Sequence, residues 1–100
     1  MNNNIIEMAV FKVREGVTDT RVLGLSNAFV EVLKREADGF IRRTLTKDCN
    51  QDRWVELVWW ESMEAARAAF DKAPLIPEFQ AYCAVMLEEG SDLIYLEEME

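Results

Sequence analysis

Apolar and β-branched residues crowd together in Ile5–Val13 (IIEMAVFKV), and Arg14-Glu15-Gly16 behind them supplies a turn, so this stretch predicts a strand. Thr18 or Asp19 then caps a helix to about Ala37, in which Val22, Leu25, Phe29, Val32 and Leu33 recur at helical spacing. Gly39 ends it, because glycine accepts the left-handed conformation that a helix C-terminus commonly needs. Residues 40–47 (FIRRTLTK) and 53–60 (RWVELVWW) predict two strands, paired antiparallel through a polar loop over residues 48–52. Ser62 caps a second helix through Ala73, with Met63, Ala66, Phe70 and Ala73 on one stripe and Pro74 as its stop. Pro77 opens a third, where Phe79, Tyr82, Cys83, Met86 and Leu87 keep the helical rhythm until Gly90. Residues 92–97 (DLIYLE) form the last strand, ahead of an acidic tail.

The order β-α-β-β-α-α-β predicts an α+β, ferredoxin-like domain over residues 1–100: a four-stranded antiparallel sheet carrying its helices on one face. A sheet covered on one side only should alternate apolar and polar residues. Here Trp54, Val58 and Trp60 share one parity while Val55, Leu57 and Trp59 hold the other, and Ile6, Met8 and Val10 compete with Ala9 and Phe11 in the same way. Both faces therefore call for cover, and a second copy of the chain is the economical one. Two sheets packed face to face would give a homodimeric α/β barrel with a lumen between them.

Composition narrows the chemistry. The chain has 100 residues, of which half are hydrophobic and only 4 are Gly and 2 Pro, which fits one folded domain and excludes a disordered or collagen-like chain. Lys and Arg number 11 against 19 Asp and Glu, and the net charge of −8 makes nucleic acid and anionic membrane surfaces unfavourable partners. There is no His, which removes His-ligated metal sites and nucleophiles that rely on imidazole. Cys49 and Cys83 form no CxxC pair and read as free thiols. The opening residues lack a secretory pattern and no apolar run reaches spanning length, which predicts a cytoplasmic protein without a membrane partner.

Three stretches together resemble a known family: the opening EMAVFKV, DGFIRR at residues 38–43, and RWVELVWWESMEAARAAF at residues 53–70. They are similar to the antibiotic biosynthesis monooxygenase-like proteins of the dimeric α/β-barrel superfamily, over about residues 5–97. The best signatures are Gly39-Phe40 and Trp60-Glu61-Ser62 ahead of an Ala-rich helix, and they are marks of fold more than of catalysis. The group includes cofactor-independent oxygenases of polyketide and quinol substrates, haem-degrading enzymes, isomerases and members with no known activity. The resemblance therefore implies a homodimer and, as a first reading, one that needs no metal or bound cofactor and oxygenates an aromatic, quinol or polyketide-like small molecule. The haem-degrading branch uses an Asn in the first strand, a Trp within the second helix and a following His, and this chain offers none of the three.

Taking the more uniformly apolar parity as the helix side puts Ile6, Met8, Val10, Ile41, Leu45, Val55, Leu57, Trp59, Ile94 and Leu96 under the helices. The opposite parity then holds Glu7, Phe11, Phe40, Arg42, Thr44, Trp54, Glu56, Trp60 and Tyr95, a set of rings with a few polar groups that suits a flat aromatic ligand. A cofactor-free oxygenase needs a base to convert a phenol or enol to its anion, and without His that base would be Glu7 or Glu56. The simpler reading pairs these carboxylates with Arg42 or Arg43 as satisfied charges. Phe11, Phe40, Arg42, Trp54, Trp60 and Tyr95 are the candidate ligand contacts, with Tyr82 as a further hydroxyl donor from the third helix. Should the ligand lie between sheet and helices instead, Tyr82, Asn27 and Trp59 replace the lumen set. Gly24 within the first helix suggests close packing against the sheet. Besides an enzyme, two other readings stand: a non-catalytic dimeric binding or accessory protein, and a module whose function is association itself.

Overall fold

A computed structural model describes residues 3–100; Met1 and Asn2, the start of the opening segment, lie outside it. The chain runs β1 (Ile5–Val13), α1 (Asp19–Glu36), β2 (Phe40–Lys47), β3 (Trp54–Trp60), α2 (Met63–Lys72), a 3-10 turn (Ala73–Leu75), α3 (Pro77–Ala84) and β4 (Met86–Glu97). The strands make one antiparallel sheet in the order β2-β3-β1-β4. Helix α1 thus bridges two strands that flank β3, and α2 with α3 bridges two that flank β1. This is the α+β ferredoxin-like fold.

Local chemistry sets the element ends. Thr18 Oγ1 accepts from the Arg21 N–H at 3.2 Å to start α1, and Ser62 Oγ accepts from Ala65 N–H at 3.1 Å to start α2. Gly39 has φ +81°, and a Cβ there would stand 2.6 Å from the Ala65 Cβ, so the α1–β2 turn needs glycine for both conformation and space. The Glu61 N–H donates to the Gly39 carbonyl at 2.8 Å and ties this turn to the end of β3. Gly24, in contrast, has nothing within 4 Å of where a Cβ would sit, so the expected close packing is absent.

Helix α3 ends at Ala84, six residues short of the Gly90 stop that the periodicity predicts. The end of β1 captures it: Arg14 N–H donates to the Val85 carbonyl at 2.8 Å, and Arg14 Nε to the Ala84 carbonyl at 3.0 Å. Val13 then pairs with Met86 and Lys12 with Leu87, and sheet pairing overrides a helical rhythm that a short apolar run cannot distinguish from a strand. The register jumps between Val10 and Lys12, and residues 88–91 bulge outward with Gly90 at φ +82°.

Along β1, β3 and β4 the two sheet faces are exchanged relative to the expectation from sequence, whereas on β2 Leu45 pairs with Glu56 under the helices and Thr44 with Leu57 on the open face, as expected. Along β3, Trp54, Glu56, Val58 and Trp60 are buried while Val55, Leu57 and Trp59 are only half-buried, a strict period of two. The helices cover the parity of Glu7, Phe11, Trp54, Glu56 and Trp60, which pack with Val22, Phe29, Leu33 and Tyr82. Ile6, Met8, Leu57, Trp59, Ile94 and Leu96 lie on the open face. The most uniformly apolar parity does not win, because the other carries the largest rings and its one buried carboxylate finds donors on the helices. A bulge at Ile41 adds a second reversal: Phe40 pairs with Trp60 but Arg42 with Trp59, so Phe40 faces the helices and Arg42 the open side. Both cysteines are free. No helix among the described residues is long and apolar enough to cross a membrane.

Candidate functional site

A cavity of about 440 Å³ lies between the sheet and the helices. Its floor comes from β1 and β3, through Glu7, Phe11, Glu56, Val58 and Trp60, and its roof from α1 and α3, through Phe29, Leu33, Phe79 and Tyr82. Rings dominate the wall: Phe11 meets Tyr82 edge-on with centroids 5.7 Å apart, and Phe29 lies 4.9 Å from Phe79. A larger depression of about 760 Å³, between the end of α1 and α2, has no aromatic side chain among its described lining residues and is a groove of Ala, Glu and aliphatic groups. The chemistry gathers in the smaller cavity.

Two carboxylates stand in that floor. Glu7 pairs with Val58 and Ala9 with Glu56 across the β1–β3 ladder, so the two glutamates are diagonal neighbours on one face. Glu56 accepts from Ser26 Oγ at 2.6 Å and from the Tyr82 hydroxyl at 3.3 Å, with Arg43 Nε 4.0 Å away. Burial pushes its pKa above the ordinary 4.5, while the Ser26 bond, the Arg43 charge and the Tyr82 bond pull in the opposite direction. Glu7 accepts from Trp60 Nε1 at 2.9 Å and has no basic side chain in ion-pair contact among the described residues. Its pKa is also raised, first by burial, against the pull of the Trp60 bond, and further by the charge of Glu56. Burial, reinforced by Glu56, keeps the Tyr82 phenol protonated far above neutrality, so Tyr82 serves as a donor and not as a base.

The sequence-derived candidates divide into three groups. Glu7, Glu56, Phe11, Trp60 and Tyr82 all line the cavity. Trp54 and Phe40 stand behind it: Trp54 stacks on Phe11 at 6.5 Å and Phe40 meets Trp60 edge-on at 5.7 Å. Tyr95 pairs with Glu7 across the β1–β4 ladder, and its pKa is raised by burial and by the Glu7 charge. Arg42 is elsewhere, with its guanidinium 3.6 Å above the Trp59 ring on the open face. Of the pairing read for the glutamates, Arg43 approaches Glu56, and its Nη2 also donates to Asn27 Oδ1. Asn27 and Trp59, the alternative contacts for a ligand under the helices, do not line this cavity.

Ser26, Phe29 and Phe79 belong to the site and were not singled out from sequence as members of it. A signal exists for Ser26, since it falls on the stripe of Val22, Phe29 and Leu33, where a polar residue requires a partner across the interface. Among the described residues no group of three His, Cys, Asp or Glu is placed to hold a metal ion.

No protein-family model matches the sequence, and no curated protein matches it. Solved structures do match it by fold. SnoaB, a cofactor-independent oxygenase from Streptomyces nogalater, superposes with a TM-score of 0.79 at 18% identity, over 98% of this chain and 95% of that one. A monooxygenase of Streptomyces coelicolor, solved in complex with nanaomycin D, gives 0.75 at 21% identity over 98% and 89%. A conserved protein from Methanosarcina mazei gives 0.72 at 10% identity over 96% and 93%. The fold is therefore shared with antibiotic biosynthesis monooxygenase-like proteins, and at these identities the likeness establishes the fold alone.

Proposed function

We propose that the chain is a cofactor-independent monooxygenase acting on an aromatic phenol, quinol or polyketide-like molecule held between sheet and helices. The observation that carries this reading is Glu7: a carboxylate in an aromatic cavity, fixed by the Trp60 N–H and not neutralised by a cation among the described residues. Its raised pKa brings it nearer the range where a carboxylate is an effective proton acceptor. Glu7 takes the phenolic proton, and the resulting electron-rich anion passes one electron to dioxygen. Recombination and loss of water then give the quinone, with one oxygen atom in product and one in water. Glu56, held by Ser26 and Tyr82, is anchored, and its charge helps to raise Glu7. Phe11, Trp60 and Tyr82 supply ring contacts, Trp54 and Phe40 brace them, and Tyr95 lies beside the base. The oxygenase names of the structural neighbours support the same chemistry.

The open sheet face supports a homodimer, in which Ile6, Met8, Leu57, Trp59 and their counterparts would cover one another and Arg42 would lie at the interface. The test of activity is oxygen uptake with an anthrone or a naphthol. One O₂ consumed per quinone formed, lost in Glu7→Gln with the fold intact, is the expected result; unchanged turnover in Glu7→Gln would remove the assigned base. A second reading, a non-catalytic binding protein, is favoured by one observation: among the described residues every buried side-chain polar atom has a hydrogen-bond partner. Ligand-induced quenching of indole fluorescence without oxygen uptake would select that reading.

A further inference from the structure

The cavity carries acid and no base. Among its described lining residues Glu7 and Glu56 bring carboxyl groups from the covered sheet face, Asp92 pairs with Val10 on the open-face parity, and none is Lys or Arg. The nearest guanidinium to Glu56, that of Arg43, lies outside the lining and is already engaged with Glu56 and Asn27. The whole chain adds a net charge of −8 around it. A ligand carboxylate entering here would give up its hydration shell and meet like charge without gaining a cation. A phenolic hydroxyl meets the reverse situation, because Glu7 accepts one bond from Trp60 and an ionised carboxylate has acceptor sites to spare.

We infer that the cavity selects uncharged hydroxyarenes and rejects their carboxylated counterparts. This rests on the aromatic-ligand reading above and adds to it the charge of the ligand. Rings on both sides, Phe11 and Trp60 below and Phe29 and Phe79 above, supply contact area that is indifferent to charge. Discrimination therefore falls to the glutamates. Their positions on adjacent strands place like charge along one side of any flat molecule lying on the sheet.

The test uses three ligands of one scaffold, titrated without oxygen and followed by indole fluorescence: naphthohydroquinone, its ring carboxylic acid, and the methyl ester of that acid. The ester matches the acid in bulk, so the ester-to-acid ratio reads charge alone. At neutral pH the acid should bind at least about tenfold more weakly than the ester. That ratio should shrink in Glu7→Gln, which keeps an acceptor for the Trp60 N–H. An acid binding within about twofold of its ester would overturn the inference, as would a ratio unmoved in Glu7→Gln. If none of the three ligands binds, the aromatic-ligand reading fails and this inference with it. If the uncharged pair binds selectively but the protein does not raise oxygen uptake above the protein-free autoxidation rate when oxygen is admitted, the oxygenase reading fails and the charge selection stands.

Discussion

Ser26 Oγ, in the middle of α1, donates to Glu56 Oε2 on β3 at 2.6 Å, and the two residues are 0% and 7% exposed. The carboxylate thus has its solvation supplied from within the fold, by Ser26, by the Tyr82 hydroxyl and by the more distant Arg43. Each comes from a different element, so this one group helps to fix how α1, α3 and β2 sit on β3.

Ser26→Ala removes the shortest of these bonds and leaves a buried acceptor short of a donor. The expected loss of unfolding free energy is about 1–3 kcal/mol, read from the urea midpoint at unchanged slope. A loss below about 0.5 kcal/mol would count against Ser26 as the principal partner of this carboxylate.

Glu7 and Glu56 both titrate above the ordinary value of 4.5 in the fold, chiefly because burial disfavours their charge. The native state holds these protons at pH values where the unfolded chain has released them. Stability from this source is therefore fully present below the unfolded value and is lost as pH rises through the folded one. Glu7→Gln cannot lose it, so the variant should gain on the wild type between acid and neutral pH, with the two differing least at the acid end. Urea unfolding across a pH series is the measurement, and a difference constant with pH would contradict the assignment.

Two glycines, Gly39 in the α1–β2 turn and Gly24 within α1, should respond with opposite signs. Gly39→Ala combines a left-handed φ with a Cβ 2.6 Å from that of Ala65, for an expected cost of about 2–4 kcal/mol. Gly24→Ala adds a methyl group to open space within α1 and should stabilise by about 0.5–1 kcal/mol. Thermal unfolding of the two variants separates them, and a stabilised Gly39→Ala would mean that the α1–β2 turn does not need glycine.

Most element ends were legible because local chemistry sets them: Thr18 and Ser62 are capping residues, and Gly39 sits where a left-handed φ is needed. The end of α3 was not, because Val85, Met86 and Leu87 continue an apolar rhythm and the groups that stop it, on Arg14, lie 70 positions away in the chain. The face assignment failed for a related reason. The parity without Glu56 is the more uniformly apolar, and the donors that admit Glu56 to the core, Ser26 and Tyr82, are 30 and 26 positions distant. The grouping of Glu7, Phe11, Glu56 and Trp60 survived this inversion, since a period of two holds a set together whichever side is covered. Arg42 left the set because of one extra residue at Ile41, a bulge with no composition of its own.

The open face bears on assembly. Ile94 and Leu96 are 38% and 41% exposed, and Val55, Leu57 and Trp59 beside them are only half-covered within one chain. Contiguous exposed apolar faces commonly mark a site of association. The chain should therefore sediment as a dimer at micromolar concentration. Leu57→Lys, placed between Met8 and Thr44 on that face, should shift it to single chains. Because Leu57 points away from the cavity, the helical spectrum and the binding of a neutral hydroxyarene should persist in the variant. A wild type that sediments as single chains, with Trp59 freely quenched by iodide, would remove the dimer while leaving the cavity beneath the helices intact, since no residue lining it belongs to the exposed rows of Leu57 and Trp59.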